Sequence, residues 1–222
     1  MELKTETFCI EIMDERDFDE NPANNFRTYD AVYTDNSEFL CYSMVGIRVY
    51  QNDEQIASAI IGASAGGTSV HSNMAIAEKD RILLCGSNYI FCLSLPALAL
   101  QWKTEADNAT CFEIFPYRDS YIIHGEMEIS RIDRNGNILW QQGGADIFTT
   151  ISGKDDFKLT EKNILATDWE NNKYIFDYDG QVTFLPQRKK HFSLLSMFKR
   201  SAADKEKHST QNSLSATARR LS

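Results

Sequence analysis

A pattern that returns about every 40 residues limits what this chain can fold into more than any other feature of it. Four stretches carry the pattern: "EFLCYSMVGIRVYQNDEQIASAI" (38–60), "RILLCGSNYIFCLSLPALALQW" (81–102), "SYIIHGEMEISRIDRNGNILW" (120–140) and "NILATDWENNKYIFDYDGQVTF" (163–184). Each reads as a strand, a short polar break, a second strand, a tight turn and a third strand. The turns are "NDE", "LPA", "RNG" and "YDG", and Asn135-Gly136 and Asp179-Gly180 are strong hairpin signals because their residues tolerate positive φ. Trp102 lies 38 residues before Trp140, and Trp140 lies 44 before the matching Phe184. Further strand-like pieces fall between the units: "GTSVHSNMAI", "TCFEIFPY" and "DIFTTIS".

Four strands per unit at this period predict an all-β fold of antiparallel meanders, in the form of a small, about four-bladed β-propeller-like domain. A β-sandwich or an open sheet of the same meanders is the alternative. The N-terminal "TETFCIEIM" is expected to supply the missing outer strand of the last blade, which would remove an exposed sheet edge.

Charge divides the chain in two. Residues 187–222 hold nine Lys/Arg against two Asp/Glu, while residues 1–186 hold 14 against 30. An acidic body of that kind repels nucleic acid and is steered towards cationic partners. The expected organisation is a β-repeat domain over 1–186 and a basic, mostly disordered tail over 187–222. Within the tail, "FSLLSMFKRSAA" has the pattern of a short amphipathic helix. The acidic N-terminus lacks a signal-peptide apolar core, and no apolar run is long enough for a transmembrane helix. Cys9, Cys41, Cys85, Cys92 and Cys111 are odd in number and lack CxxC spacing, which predicts free thiols and a cytoplasmic setting.

The segment "RIDRNGNILW" runs from a strand ending in Asp, through a turn with Gly, to a strand ending in Trp. It resembles blades of the quinoprotein-like propeller class, well over 81–185 and weakly over 38–60. Quinone-dependent dehydrogenases of that class use many more blades, so the resemblance implies the fold and not the cofactor. "HGEMEISRID" followed by "ADIF" also resembles a family of small, uncharacterised bacterial proteins, and that likeness brings no activity with it.

The segment "IIHGEME" gathers titratable groups, and two geometries are open to it. One continuous strand would align His124, Glu126 and Glu128 on one face, opposite Ile123, Met127 and Ile129. The repeat instead ends a strand at His124 and puts Glu126 on the turn, matching Ser87-Asn88. An isolated histidine is most often structural, bonded to a backbone group. With His71, the other histidine of the body, His124 and Glu126 form the alternative metal or ligand site of a small enzyme, although no HxH, HExxH or HxxxH spacing supports it. "IIGASAGGTSVH" lacks the Lys-Ser/Thr of a phosphate loop and reads as a glycine-rich connector between blades. No GxSxG elbow is present.

Strand alternation places the connections between blades, and the turns between second and third strands, on one rim. Asp107, Glu126, Asp146, Asp168 and Glu170 fall there with Trp169, an apolar anchor of the type found at binding hot spots. Acidic loop residues equally serve only to solvate a surface. The expected function is a non-enzymatic protein-binding module with no cofactor, whose acidic rim takes a basic protein; its concrete form is an immunity or inhibitor protein against a basic toxin. Attachment of the tail to membrane or nucleic acid is a third reading.

Overall fold

The computed structural model describes residues 1–19, 25–35, 43–153 and 156–185. No helix occurs among them; the chain forms seventeen strands in four separate sheets. The first sheet contains β1 (Glu2–Lys4), β2 (Cys9–Asp14), β3 (Ala31–Tyr33), β4 (Ser43–Gln51) and β5 (Glu54–Ala63), in the order β1-β2-β4-β5-β3. The second contains β6 (Ala75–Ala77), β7 (Arg81–Gly86), β8 (Tyr89–Ser94) and β9 (Leu100–Glu105). The third holds β10 (Cys111–Tyr117), β11 (Ser120–Gly125), β12 (Glu128–Asp133) and β13 (Ile138–Gly143). The fourth holds β14 (Phe157–Leu159), β15 (Ile164–Thr167), β16 (Lys173–Phe176) and β17 (Val182–Leu185). The last three are plain antiparallel meanders, as the repeat predicts; in the first, β3 adds a parallel outer strand beside β5.

Alternation along β11 explains the stacking. Tyr121 and Ile123 join the core shared by the first, second and third sheets, while Ile122 joins the core shared by the third and fourth. Both faces of the third sheet are therefore buried, and its strands need no polar-out face. Successive sheets are also fastened at their outer strands. The Trp102 indole donates to the Arg134 carbonyl (3.2 Å), and the Trp140 indole donates to the Tyr178 carbonyl (3.0 Å). The Tyr33 hydroxyl reaches the Leu98 carbonyl in the same way (3.1 Å). In each case an aromatic from one sheet grips the tight turn of the next. This contact accounts for the tryptophans that end the second and third units.

Three expectations need correction. "TETFCIEIM" does not complete the last blade: β2 pairs with β4 along six residues of the first sheet, where Ile10 and Ile12 are fully buried beside Ile47 and Val49. Residues 43–51 form one unbroken strand whose outer neighbour is β2 and not an earlier part of the first unit, and 38–42 lie outside the described residues. "DIFTTIS" forms no strand. The inner strand of the fourth sheet is Phe157–Leu159, and 147–153 is a connector.

Among the described residues the sheets do not close into a ring. Among the described residues no strand pairing joins the fourth sheet to the first. The face of the first sheet away from the core is covered by its own chain. A Cβ built on Gly46 would lie 2.1 Å from the Tyr29 hydroxyl, and that hydroxyl donates to Glu15 (2.8 Å), which also binds Arg27 (2.9 Å). Of the glycine-rich 60–71, residues 60–63 end β5 and 64–71 form the expected connector, where the Gly66 amide donates to the Ala109 carbonyl at 2.9 Å. Cys41 and the segment 186–222, with its expected helix, lie outside the described residues.

Candidate functional site: the acidic rim

The connectors between sheets and the turns between second and third strands meet at one end of the fold, joined by main-chain hydrogen bonds. Thr110 accepts from the Glu126 amide (2.8 Å), Glu126 accepts from the Phe148 amide (2.7 Å), and Ile147 accepts from the Trp169 amide (2.9 Å). Loops from the second, third and fourth sheets are thereby tied into one continuous row. His124 ends near the close of β11 and Glu126 lies on the turn to β12, the second of the two geometries read from the sequence.

Not all six predicted rim residues present themselves to solvent. Asp107 is 1% exposed. Its Oδ1 accepts from the amides of Ala109 (2.6 Å) and Thr110 (3.0 Å), and its Oδ2 from those of Met127 (2.9 Å) and Glu128 (2.8 Å). Gly125 is a glycine because Asp107 packs on it: a Cβ there would lie 2.2 Å from Oδ2. Asp168 is fully buried and accepts from the Asn172 amide (2.8 Å), its side-chain nitrogen (2.9 Å) and the Tyr174 hydroxyl (2.8 Å). These two carboxylates hold loops in place and offer no charge to a partner. Buried carboxylates persist where backbone donors compensate their desolvation.

Glu126 and Asp146 are half-buried, Glu170 is exposed, and Trp169 is exposed to 44%. Sequence reasoning missed the apolar company on these loops: Met127 at 41% and Ile151 at 79% exposure. It also missed Glu128. Burial, and then the charge of Asp107, push its carboxyl above the usual range. For Asp107 burial likewise raises the pKa, and the four amide donors reduce that shift without cancelling it.

The alternative His71, His124 and Glu126 site does not assemble. His124 is 3% exposed, with Nδ1 at 2.8 Å from Glu113 Oε2 and Nε2 at 2.8 Å from the Phe148 carbonyl, so neither ring nitrogen is free for a metal. The His71 Nδ1 accepts from the Asn73 amide in its own loop (3.3 Å). Among the described residues no three His, Cys, Asp or Glu side chains form a group able to hold a metal ion.

No family model matches this chain, and no curated protein does. The likeness to small bacterial proteins carrying the HGE-E-RID and DIF strings thus has no sequence relative behind it. Among solved structures, the chain is similar to BamB from Moraxella catarrhalis at 14% identity and a TM-score of 0.47, over 67% of this chain and 45% of that one. It is similar to the dihydro-heme d1 dehydrogenase NirN at 15% identity and a TM-score of 0.45, over 65% of this chain and 34% of that one. Both are β-propeller proteins. A computationally designed protein, Ika4, is similar at 9% identity and a TM-score of 0.40, over 57% of this chain and 80% of that one. The chain spans less than half the length of BamB and about a third of NirN. The propeller-like description rests on the four stacked sheets.

Proposed function

We propose that this protein is a binding module whose acidic rim recognises a basic protein, without catalysis. One observation carries the reading: loops from three sheets are joined by main-chain hydrogen bonds into a single row that bears Glu126, Asp146 and Glu170 beside exposed Trp169 and Met127. A rim held this way meets a partner with little ordering cost. The carboxylates provide steering, and the aromatic and the methionine provide apolar contact. In its most specific form the protein masks a basic toxin such as a nuclease. A reducing, cytoplasmic setting belongs to the proposal. Burial pushes the thiols of Cys85 and Cys111 up, and that of Cys92 up to about 11, so they stay protonated and unreactive.

The test uses the full chain and a Lys/Arg-rich probe peptide, followed by amide chemical shifts at low and high salt. Shifts are expected to gather on 126–128, 146–151 and 169–171 and to fade as salt rises. The double change Glu126→Lys with Asp146→Lys should weaken binding by about tenfold or more. Perturbations spread evenly over the body, or an unchanged affinity in the double variant, would remove the rim from the account.

A further inference from the structure

β9, β13 and β17 each end a sheet, with one edge unpaired among the described residues. Such an edge invites a further strand unless something blunts it. Two of the three are blunted. β9 carries Lys103 and Glu105, is bulged opposite Cys92 and Leu93, and takes the Tyr33 hydroxyl on its Leu100 amide (3.3 Å). β13 is bulged opposite Arg131 and Ile132. β17 has neither a charge nor a bulge. Its sequence is VTFL, all four residues pair with β16 in unbroken register, and Val182, Phe184 and Leu185 are exposed.

The register shows which groups that edge offers. The Asp177 amide donates to the Gln181 carbonyl at 2.9 Å, so the two form a hydrogen-bonded pair. Alternation along the ladder then turns the main-chain groups of Thr183 and Leu185 towards β16, and those of Val182 and Phe184 outwards. Two N–H and two C=O groups thus stand along the open edge.

We propose that β17 is a homodimerisation edge: it pairs antiparallel with β17 of a second copy, and the two fourth sheets become one sheet about a two-fold axis. One register uses every outward group. With Thr183 opposite its own counterpart, Val182 meets Phe184 twice, and each of those pairs exchanges two hydrogen bonds. Moving each copy by one residue spoils this. One direction sets Val182 against Pro186, which has no N–H, and the other sets Phe184 against Gly180 in the turn. The side chains agree with the register. Val182 and Phe184 share a face, and a β-branched residue beside an aromatic is a favourable cross-strand pair, as is threonine beside threonine.

Charge sets the direction of pairing. β17 follows the acidic Asp177 and Asp179 and precedes the basic Arg188, Lys189 and Lys190. Antiparallel pairing places the acidic flank of each copy against the basic flank of the other, whereas parallel pairing would set like against like. Asp179 is placed to take part, because its side chain is 90% exposed and Arg131 lies 3.8 Å away.

A single short strand pair is a small interface, so sedimentation of the full chain should pass from one copy to two between about 10 μM and about 1 mM. Amide hydrogen exchange should separate two kinds of residue. Thr183 and Leu185 are protected at every concentration, Val182 and Phe184 only as the dimer forms. Thr183→Lys sets like charges against each other at an exposed position and removes no bond to β16. It should raise the dissociation constant by about fivefold or more, and Thr183→Glu should do the same. An equimolar mixture of T183K and T183E should associate again, at least as tightly as wild type. Four results would overturn the proposal: a single copy at every concentration, a dimer that T183K leaves unchanged, variants that stay apart when mixed, or Val182 and Phe184 amides already protected in the single copy. The last would mean that the chain's own residues cover the edge. Sedimentation and exchange of the wild type decide the matter even where a variant fails to fold.

Discussion

Asp107→Ala should lower the stability of the β-sheet body by about 3–5 kcal/mol, the largest loss expected from any single change near the rim. The carboxylate accepts from four backbone amides, two in the connector after β9 and two across the joint where β12 begins. Alanine removes every acceptor at once and leaves those amides facing a buried space. Solvent entry through the rim is the only relief, which keeps the loss below the sum of four separate deletions. Asp107→Asn should do nearly as badly. Its one oxygen can serve one pair of amides, and its NH2 then meets the other pair, donor against donor. Urea unfolding of the three proteins checks this, and an asparagine variant as stable as wild type would contradict it. Hydrogen exchange should show the damage at Thr110, Met127 and Glu128 first.

Gly180→Ala should cost about 2–4 kcal/mol, by a route that has nothing to do with hydrogen bonds. Gly180 has φ +86°, and a Cβ there would lie 2.8 Å from the Trp140 indole, which also donates to Tyr178 in the same turn. The side chain must strain the turn and push the tryptophan off it together. Gly136 repeats the arrangement under Trp102, with φ +84° and a Cβ position 2.6 Å from the indole. Gly153→Ala separates the two causes. Its φ is +58°, but nothing lies within 4 Å of its Cβ position, so only the backbone term of about 1 kcal/mol remains. Thermal unfolding that ranks Gly153→Ala with Gly180→Ala would deny the indole contact its role.

These two sites differ in how far the sequence exposes them. "RNG" and "YDG" announce hairpins, because positive φ is a local demand that few residue pairs meet. The Trp or Phe four residues beyond the glycine marks the repeat, and for Trp140 the structure supplies the reason: its indole holds the next sheet's turn, as that of Trp102 does one sheet earlier. Asp107 and Asp168 looked like solvated loop charges. A partial signal was present, since an aspartate that binds amides two and three residues ahead makes an Asx turn, and "DNAT" permits one. That signal does not tell a buried aspartate from an exposed one. Glu113 gave less warning still: one acid in "TCFEIFPY" has no local reason to meet a histidine eleven residues later.

What the sequence determined by itself is what depends on neighbours a few residues away. The period, the turns, the strand character of the apolar runs and the end of a strand near His124 are all of this kind, because backbone preference and alternation act over a handful of positions. The tertiary structure decided which strands meet and which polar groups turn inward. β2 joins the first sheet and not the fourth, Glu15, Arg27 and Tyr29 gather on the face of the first sheet away from its core, and His124 is held from both sides. Those outcomes turn on contacts such as Asp107 with Met127 and His124 with Phe148, which lie 20 and 24 residues apart. At such separations a side chain finds its partner only when whole sheets stack, and burial then gives the same carboxylate or imidazole a role that its local sequence does not set.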